Sequence, residues 1–271
     1  MGMRELAIIG CGKMGAAILE GAVEKAVLHL WDVALFDPHA PSLEKWTDRE
    51  QGAVAHESAA AAVRDARRVL LAVKPTMVEP VLRSIPPADL GDKLVVSVAA
   101  GVSLAALAGA VPGGTRVARV MPNTPALVGC GASAWSAGED FPAVDAEWIE
   151  SCFSAIGLCR RVPEMLLDGV TGLSGSGPAY VFTLIEALAD GAVREGLPRP
   201  LALEFAAQTV RGAATMVMET GRHPAVLREE VASPGGTTIA ALAALEKEGF
   251  RHAAISAVAA AAERSRELGR G

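Results

Sequence analysis

Gly10-Cys11-Gly12-Lys13-Met14-Gly15 limits the possible folds of this chain more than any other stretch. It has the form G-x-G-x-x-G. It follows the short apolar run Leu6-Ala7-Ile8-Ile9, which reads as a strand, and it opens a helical run from Met14 to Ala26. In that strand-to-helix context the motif is a dinucleotide-binding fingerprint. Gly10 allows the tight turn, Gly12 lets a pyrophosphate approach the backbone, and Gly15 lets the helix lie close to the strand. Cys11, Lys13 and Met14 complete the loop and belong with the candidate cofactor-binding residues.

The pattern then repeats. Val33 to Phe36, Val69 to Val73, Leu94 to Val98, Arg116 to Met121 and Ala132 to Ser136 read as strands, with a helix expected from Ser42 to Gln51. Unbroken apolar runs such as Val69-Leu70-Leu71-Ala72-Val73 fit strands buried on both faces. Alternating strands and helices imply a parallel sheet with right-handed crossovers. After residue 163 strand signals stop. Helices are expected from Pro178, Pro200, Pro224, Thr238 and His252, with Gly196, Gly221 and Gly249 as their punctuation. The reading is therefore α/β: a Rossmann-like doubly wound sheet over 1–163, then an all-α domain over 164–271. The later helices are apolar around much of their circumference. Either a second subunit covers them or they form an ordinary intrachain core.

Composition narrows the function. The net charge is -6 and no basic run occurs, which argues against nucleic acid and anionic membranes as partners. No apolar run reaches the roughly 18 residues of a membrane span. The start of the chain lacks a signal-peptide layout. The four cysteines show no C-x-x-C and no metal spacing, so reduced thiols in a cytoplasmic protein without a metal site are expected.

Further candidates lie where strands end. Asp37 closes the second strand, where an acid accepts hydrogen bonds from the adenosine ribose and repels a 2′-phosphate. This leans towards NADH; the other reading of Asp37 is a turn residue before Pro38. Ala72-Val73-Lys74-Pro75 and Ala99-Ala100-Gly101 are strand-to-helix connections at the carboxyl edge, and Lys74 is either a phosphate or ribose contact or a solvated lysine. Asn123, between two prolines, either fixes its loop or touches the nicotinamide. Leu173-Ser174-Gly175-Ser176-Gly177-Pro178 is either a helix cap or the floor of a substrate pocket. Ser233-Pro234-Gly235-Gly236-Thr237-Thr238 opens a helix with backbone N–H groups that lack helical partners. Such an end suits the carboxylate of a small substrate. No Ser-His-Asp or Cys-His arrangement is apparent, and Glu164 reads either as a site acid or as a solvated carboxylate.

With the fingerprint, Ala72 to Pro75, Ala99 to Val102, Asn123-Thr124-Pro125, Val170 to Tyr180 and Ser233 to Thr238, the chain resembles pyrroline-5-carboxylate reductase over essentially its full length. The resemblance implies NAD(P)H-dependent reduction of L-1-pyrroline-5-carboxylate to L-proline, the last step of proline biosynthesis. It implies a helical dimerisation domain, a homodimer or larger oligomer, and a substrate held between one subunit's cofactor and the dimer helices. The backbone of Gly236, Thr237 and Thr238 would hold the substrate carboxylate, with Ser233 and Gly235 of the same turn also substrate-binding. Thr238 would orient or protonate the ring nitrogen, and Glu164 would contact that region. Two departures leave NADPH against NADH open: Asp37 stands where members carry Ser or Asn-Arg, and His56 where some carry an Asn near the adenosine. The rivals are a β-hydroxyacid dehydrogenase-like oxidoreductase, whose catalytic Lys is missing from Ala179 to Glu195, and a non-catalytic nucleotide sensor of the same fold.

Overall fold

A computed structural model describes residues 2–269. Met1, Arg270 and Gly271, which the expected domain limits include, lie outside the described residues. The strands are β1 (Arg4–Ile9), β2 (Val33–Phe36), β3 (Val54–Ala55), β4 (Ala66–Leu71), β5 (Leu94–Ser97), β6 (Arg116–Met121), β7 (Gly131–Ala137) and β8 (Gly157–Arg161). Helices α1 (Lys13–Glu24), α2 (Pro41–Thr47), α3 (Ala59–Arg64), α4 (Pro75–Ser84), α5 (Pro87–Leu90), α6 (Leu104–Gly109) and α7 (Ala143–Ser154) alternate with them. Then follow α8 (Leu167–Val170), α9 (Gly177–Arg194), α10 (Arg199–Thr220), α11 (Pro224–Glu230), α12 (Thr237–Lys247) and α13 (Phe250–Leu268).

The eight strands form one sheet in the order β3-β2-β1-β4-β5-β6-β7-β8. The first six follow the doubly wound dinucleotide-binding order, which reverses between β1 and β4. β1 shows why the sheet is buried on both faces. Leu6 and Ile8 enter one core with Ile18, Trp135 and Phe153, while Ala7 and Ile9 enter the other with Val63, Val78 and Leu82.

The sheet is not wholly parallel. β6 pairs antiparallel with β7, and β8 then runs parallel to β7. The connection from Met121 to Gly131 is shorter than the dozen or so residues a parallel crossover needs, so the chain has to reverse. Two strands escape the sequence pattern. β3 has only two residues, and the edge strand β8 carries exposed Leu158, Arg160 and Arg161 in place of an apolar run. Charged side chains on an edge strand discourage pairing with another sheet. The helix expected from Ser42 to Gln51 stops at Thr47, because the chain turns back through Gln51 at φ 58.

The chain divides into two compact units. One runs to Ser176 and regains the chain from Ala260 onward; the other is Gly177–Ala259. The first unit therefore extends past residue 163 and takes back the end of α13. In the second unit α9 and α10 pack as a pair on buried Ala189, Ala202 and Ala206. Gly196, Gly221 and Gly249 take positive φ where α9, α10 and α12 end, the conformation only glycine adopts without strain. That small core leaves Phe182, Phe205, Met218 and Ile255 exposed, Met218 at 79%. No helix among the described residues is long and apolar enough to cross a membrane.

Candidate active site

The fingerprint loop leaves β1 at the point where strand order reverses, beside the loop that leaves β4. Gly10 has φ 95, and a Cβ there would stand 2.7 Å from the Ala72 carbonyl oxygen. At Gly15 a Cβ would stand 2.2 Å from the Gly10 oxygen. Both positions exclude any larger residue. At Gly12 nothing lies within 4 Å of a Cβ, and α1, which Gly12 caps, has no side-chain cap hydrogen bond. Open space in front of unpartnered first-turn N–H groups fits a dinucleotide pyrophosphate. Lys74 is exposed at the start of α4, and Ala99, Ala100 and Gly101 lie between β5 and α6 at the same edge.

Asp37 faces this loop. Its Oδ2 accepts the Cys11 N–H at 2.7 Å and its Oδ1 accepts the His39 N–H at 2.8 Å. The carboxylate thus braces the fingerprint and closes its own turn before α2. Burial, and then the Asp37 charge, push the Cys11 thiol up to about 12, which disfavours its thiolate at neutral pH. His56 follows β3, its N–H bonded to the Leu35 carbonyl at 2.9 Å. Its Nε2 lies 3.2 Å from Asp65 Oδ2, a carboxylate that Arg4 also engages at 2.8 Å.

Asn123 is buried and fixes two segments. Its Oδ1 accepts the Ala132 N–H at 2.8 Å and its Nδ2 donates to the Ser174 carbonyl at 3.0 Å. Ser174 belongs to a widened π-type turn, Thr171–Gly175, that leads to α9. A Cβ on Gly175 would stand 2.6 Å from Met121 Cε, so any larger residue there would displace the flexible end of Met121. Glu164 is likewise engaged: its Oε1 accepts the Leu104 N–H at 2.7 Å, at the start of α6, and lies 3.4 Å from Arg119 Nη1. Arg119 is not among the sequence candidates. Its only signal is an arginine in the middle of β6, three residues after Arg116, and it is buried.

In the second unit, Ser233 to Thr238 form the entry to α12. Gly235 has φ 68, and a Cβ on Gly236 would stand 2.4 Å from Ser233 Oγ. Gly236 caps α12 with no side-chain cap hydrogen bond. Thr238 is half-buried, and its hydroxyl makes no hydrogen bond among the described residues. An open anion seat and an unengaged hydroxyl therefore adjoin each other. No cluster of His, Cys, Asp or Glu that could hold a metal occurs among the described residues.

Residues 164–268 match the family described as Pyrroline-5-carboxylate reductase dimerisation. Residues 5–101 match the one described as "NADP oxidoreductase coenzyme F420-dependent". The chain is 44% identical to pyrroline-5-carboxylate reductase of Methanosarcina acetivorans, over 98% of both chains. It is 45% identical to that of Pisum sativum, over 97% of this chain and 95% of the other. Among solved structures, a pyrroline-5-carboxylate reductase from Coxiella burnetii superposes with TM-score 0.91 at 32% identity, covering 98% and 99%. The Plasmodium falciparum enzyme with NADP bound superposes with TM-score 0.87 at 30% identity, covering 99% and 100%. The chain belongs to the pyrroline-5-carboxylate reductase family.

Proposed function

We propose a division of labour between the two halves of an oxidoreductase that reduces L-1-pyrroline-5-carboxylate to L-proline with NAD(P)H, the last step of proline biosynthesis. The sheet half, 1–163, holds the cofactor, and the helical half, 164–271, holds the substrate and pairs with a second copy. Gly10 to Gly15 receive the pyrophosphate, Asp37 shapes the adenosine end, and Ala72 to Pro75 with Ala99 to Gly101 border the rest. When bound, the reduced nicotinamide supplies the hydride.

The remaining work falls to the α12 entry. The N–H groups of Gly236, Thr237 and Thr238 hold the substrate carboxylate, which suits the partial positive charge of a helix start. That contact fixes the ring. The Thr238 hydroxyl orients the ring nitrogen. As hydride reaches C5, the C=N π pair becomes the nitrogen lone pair. The proton at nitrogen arrives either on the iminium formed in solution or from Thr238, which solvent then reprotonates. An iminium needs no strong protein acid, in keeping with a site that has no paired carboxylates. The uncapped α12 start beside an unengaged hydroxyl carries this reading. The exposed apolar side chains of α9 to α13 support a homo-oligomer of two or more copies; its place is the cytoplasm, in keeping with thiols that form no disulfide.

Steady-state rates with pyrroline-5-carboxylate and each of NADH and NADPH test the assignment. Turnover with either cofactor is expected, and the ratio of the two kcat/KM values measures the preference. Absence of turnover with both would overturn it.

A further inference from the structure

The loop from Val98 to Ser103 carries Ala99, Ala100 and Gly101, yet it is not packed against core on every side. A cavity of about 540 Å³ lies among Gly101, Ser103, Arg119, Asp168, Arg266 and Gly269. The loop is instead held at two points. At its far end Glu164 accepts the Leu104 N–H at 2.7 Å. At its crest the last turn of α13 crosses Gly101: a Cβ on Gly101 would stand 3.5 Å from Leu268 Cβ, and one on Gly269 would stand 3.3 Å from the Gly101 oxygen. That turn is fastened by Ser265, which is buried and donates to Asp168 Oδ1 at 2.6 Å. Both fastenings draw on one short segment, Glu164 to Asp168.

We propose that Ser265 and Asp168 are positioning residues for the cofactor: by seating the last turn of α13 on Gly101, they hold the Ala99–Gly101 loop in its receptive shape. A hydroxyl-to-carboxylate bond, partly buried at the cavity's edge, is strong enough to set a loop that the cavity leaves unsupported. The proposal rests on the reading that this loop borders the cofactor.

The test uses the full-length, cofactor-free protein with Ser265→Ala, Asp168→Ala and Asp168→Asn. Amide hydrogen exchange over 98–104 reads the loop, and fluorescence titration with NADPH reads binding. Ser265→Ala and Asp168→Ala should each speed exchange in that segment and raise the NADPH Kd about three- to tenfold. Their double variant should be no worse than either single, and Asp168→Asn, which keeps an acceptor, should lie nearer wild type. Should Ser265→Ala not fold, the two Asp168 variants decide. Unchanged exchange over 98–104 would overturn the proposal. Faster exchange with an unchanged Kd would overturn it too, and would place the failure in the loop's assignment to the cofactor.

Discussion

Asn123 donates from Nδ2 to the Ser174 carbonyl at 3.0 Å, and so ties the loop after β6 to the π-type turn before α9. Four residues on, Pro178 has no N–H to give the Ser174 carbonyl, and this side chain supplies a donor. The same amide accepts the Ala132 N–H at 2.8 Å.

Asn123→Ala should therefore leave two backbone groups without their partner. The expected loss of stability is about 1–3 kcal/mol. Urea denaturation of wild type and variant measures it. Equal midpoints and slopes would show that the two segments hold their places without Asn123.

Asp37→Ser should shift cofactor preference towards NADPH by about tenfold or more, since a hydrogen bond to a charged group is worth about 1.5–3 kcal/mol. The ratio of kcat/KM for NADH and NADPH is the measurement. An unmoved ratio would confine Asp37 to bracing Cys11 and His39.

Thr238→Ala keeps the α12 entry and removes one hydroxyl. General acid assistance is worth about 10²–10⁴-fold, and because the imine can arrive protonated the loss in kcat should sit at or below the low end. It should deepen as pH rises from about 6 to 9 and free iminium becomes scarce. A purely structural role predicts lower melting temperature and weaker binding at every pH instead. Wild-type kcat throughout would remove Thr238 from the mechanism.

Sedimentation should find dimers or larger, with no folded monomer on dilution to nanomolar concentration. The small core under Ala189, Ala202 and Ala206 cannot cover Phe182, Phe205 and Met218. A stable, active monomer would refute the shared apolar faces.

The thiols predict a reactivity pattern. Burial pushes Cys11, Cys152 and Cys159 from 9.0 up to about 12, while Cys130 is exposed. Iodoacetamide at pH 8 should label Cys130 alone until the protein unfolds. A folded-state pKa above the unfolded value stabilises the protein fully below the unfolded pKa. That contribution should fade as pH climbs from about 9 towards 12. Rapid native labelling of more than one cysteine would contradict the burial.

Much of this is legible in the sequence because glycine and proline act locally. The fingerprint, the paired helix ends at Gly196, Gly221 and Gly249, and the Ser233 to Thr238 turn announce themselves by residue type. What stays hidden depends on neighbours distant in the chain. The reversal of β7 follows from a connection length, not from the composition of β7. The edge strand β8 reads as polar because its arginines face solvent. The partners of Glu164 and Asp168 lie 60 and 97 residues away, beyond any periodicity. Asp37 is legible at a strand end, but its grip on Cys11 needs the two loops side by side.

Gly236 bears on any effort to make this protein sturdier. An Asn, Asp or Ser at a helix start is a routine thermostabilising change, worth roughly a few tenths of a kcal/mol over glycine. Here a Cβ would stand 2.4 Å from Ser233 Oγ and 3.1 Å from the Ser233 carbonyl oxygen, and its oxygen would occupy the proposed carboxylate seat. Consensus-guided redesign should therefore spare this position, where the proposed carboxylate seat needs the helix-start N–H groups left open.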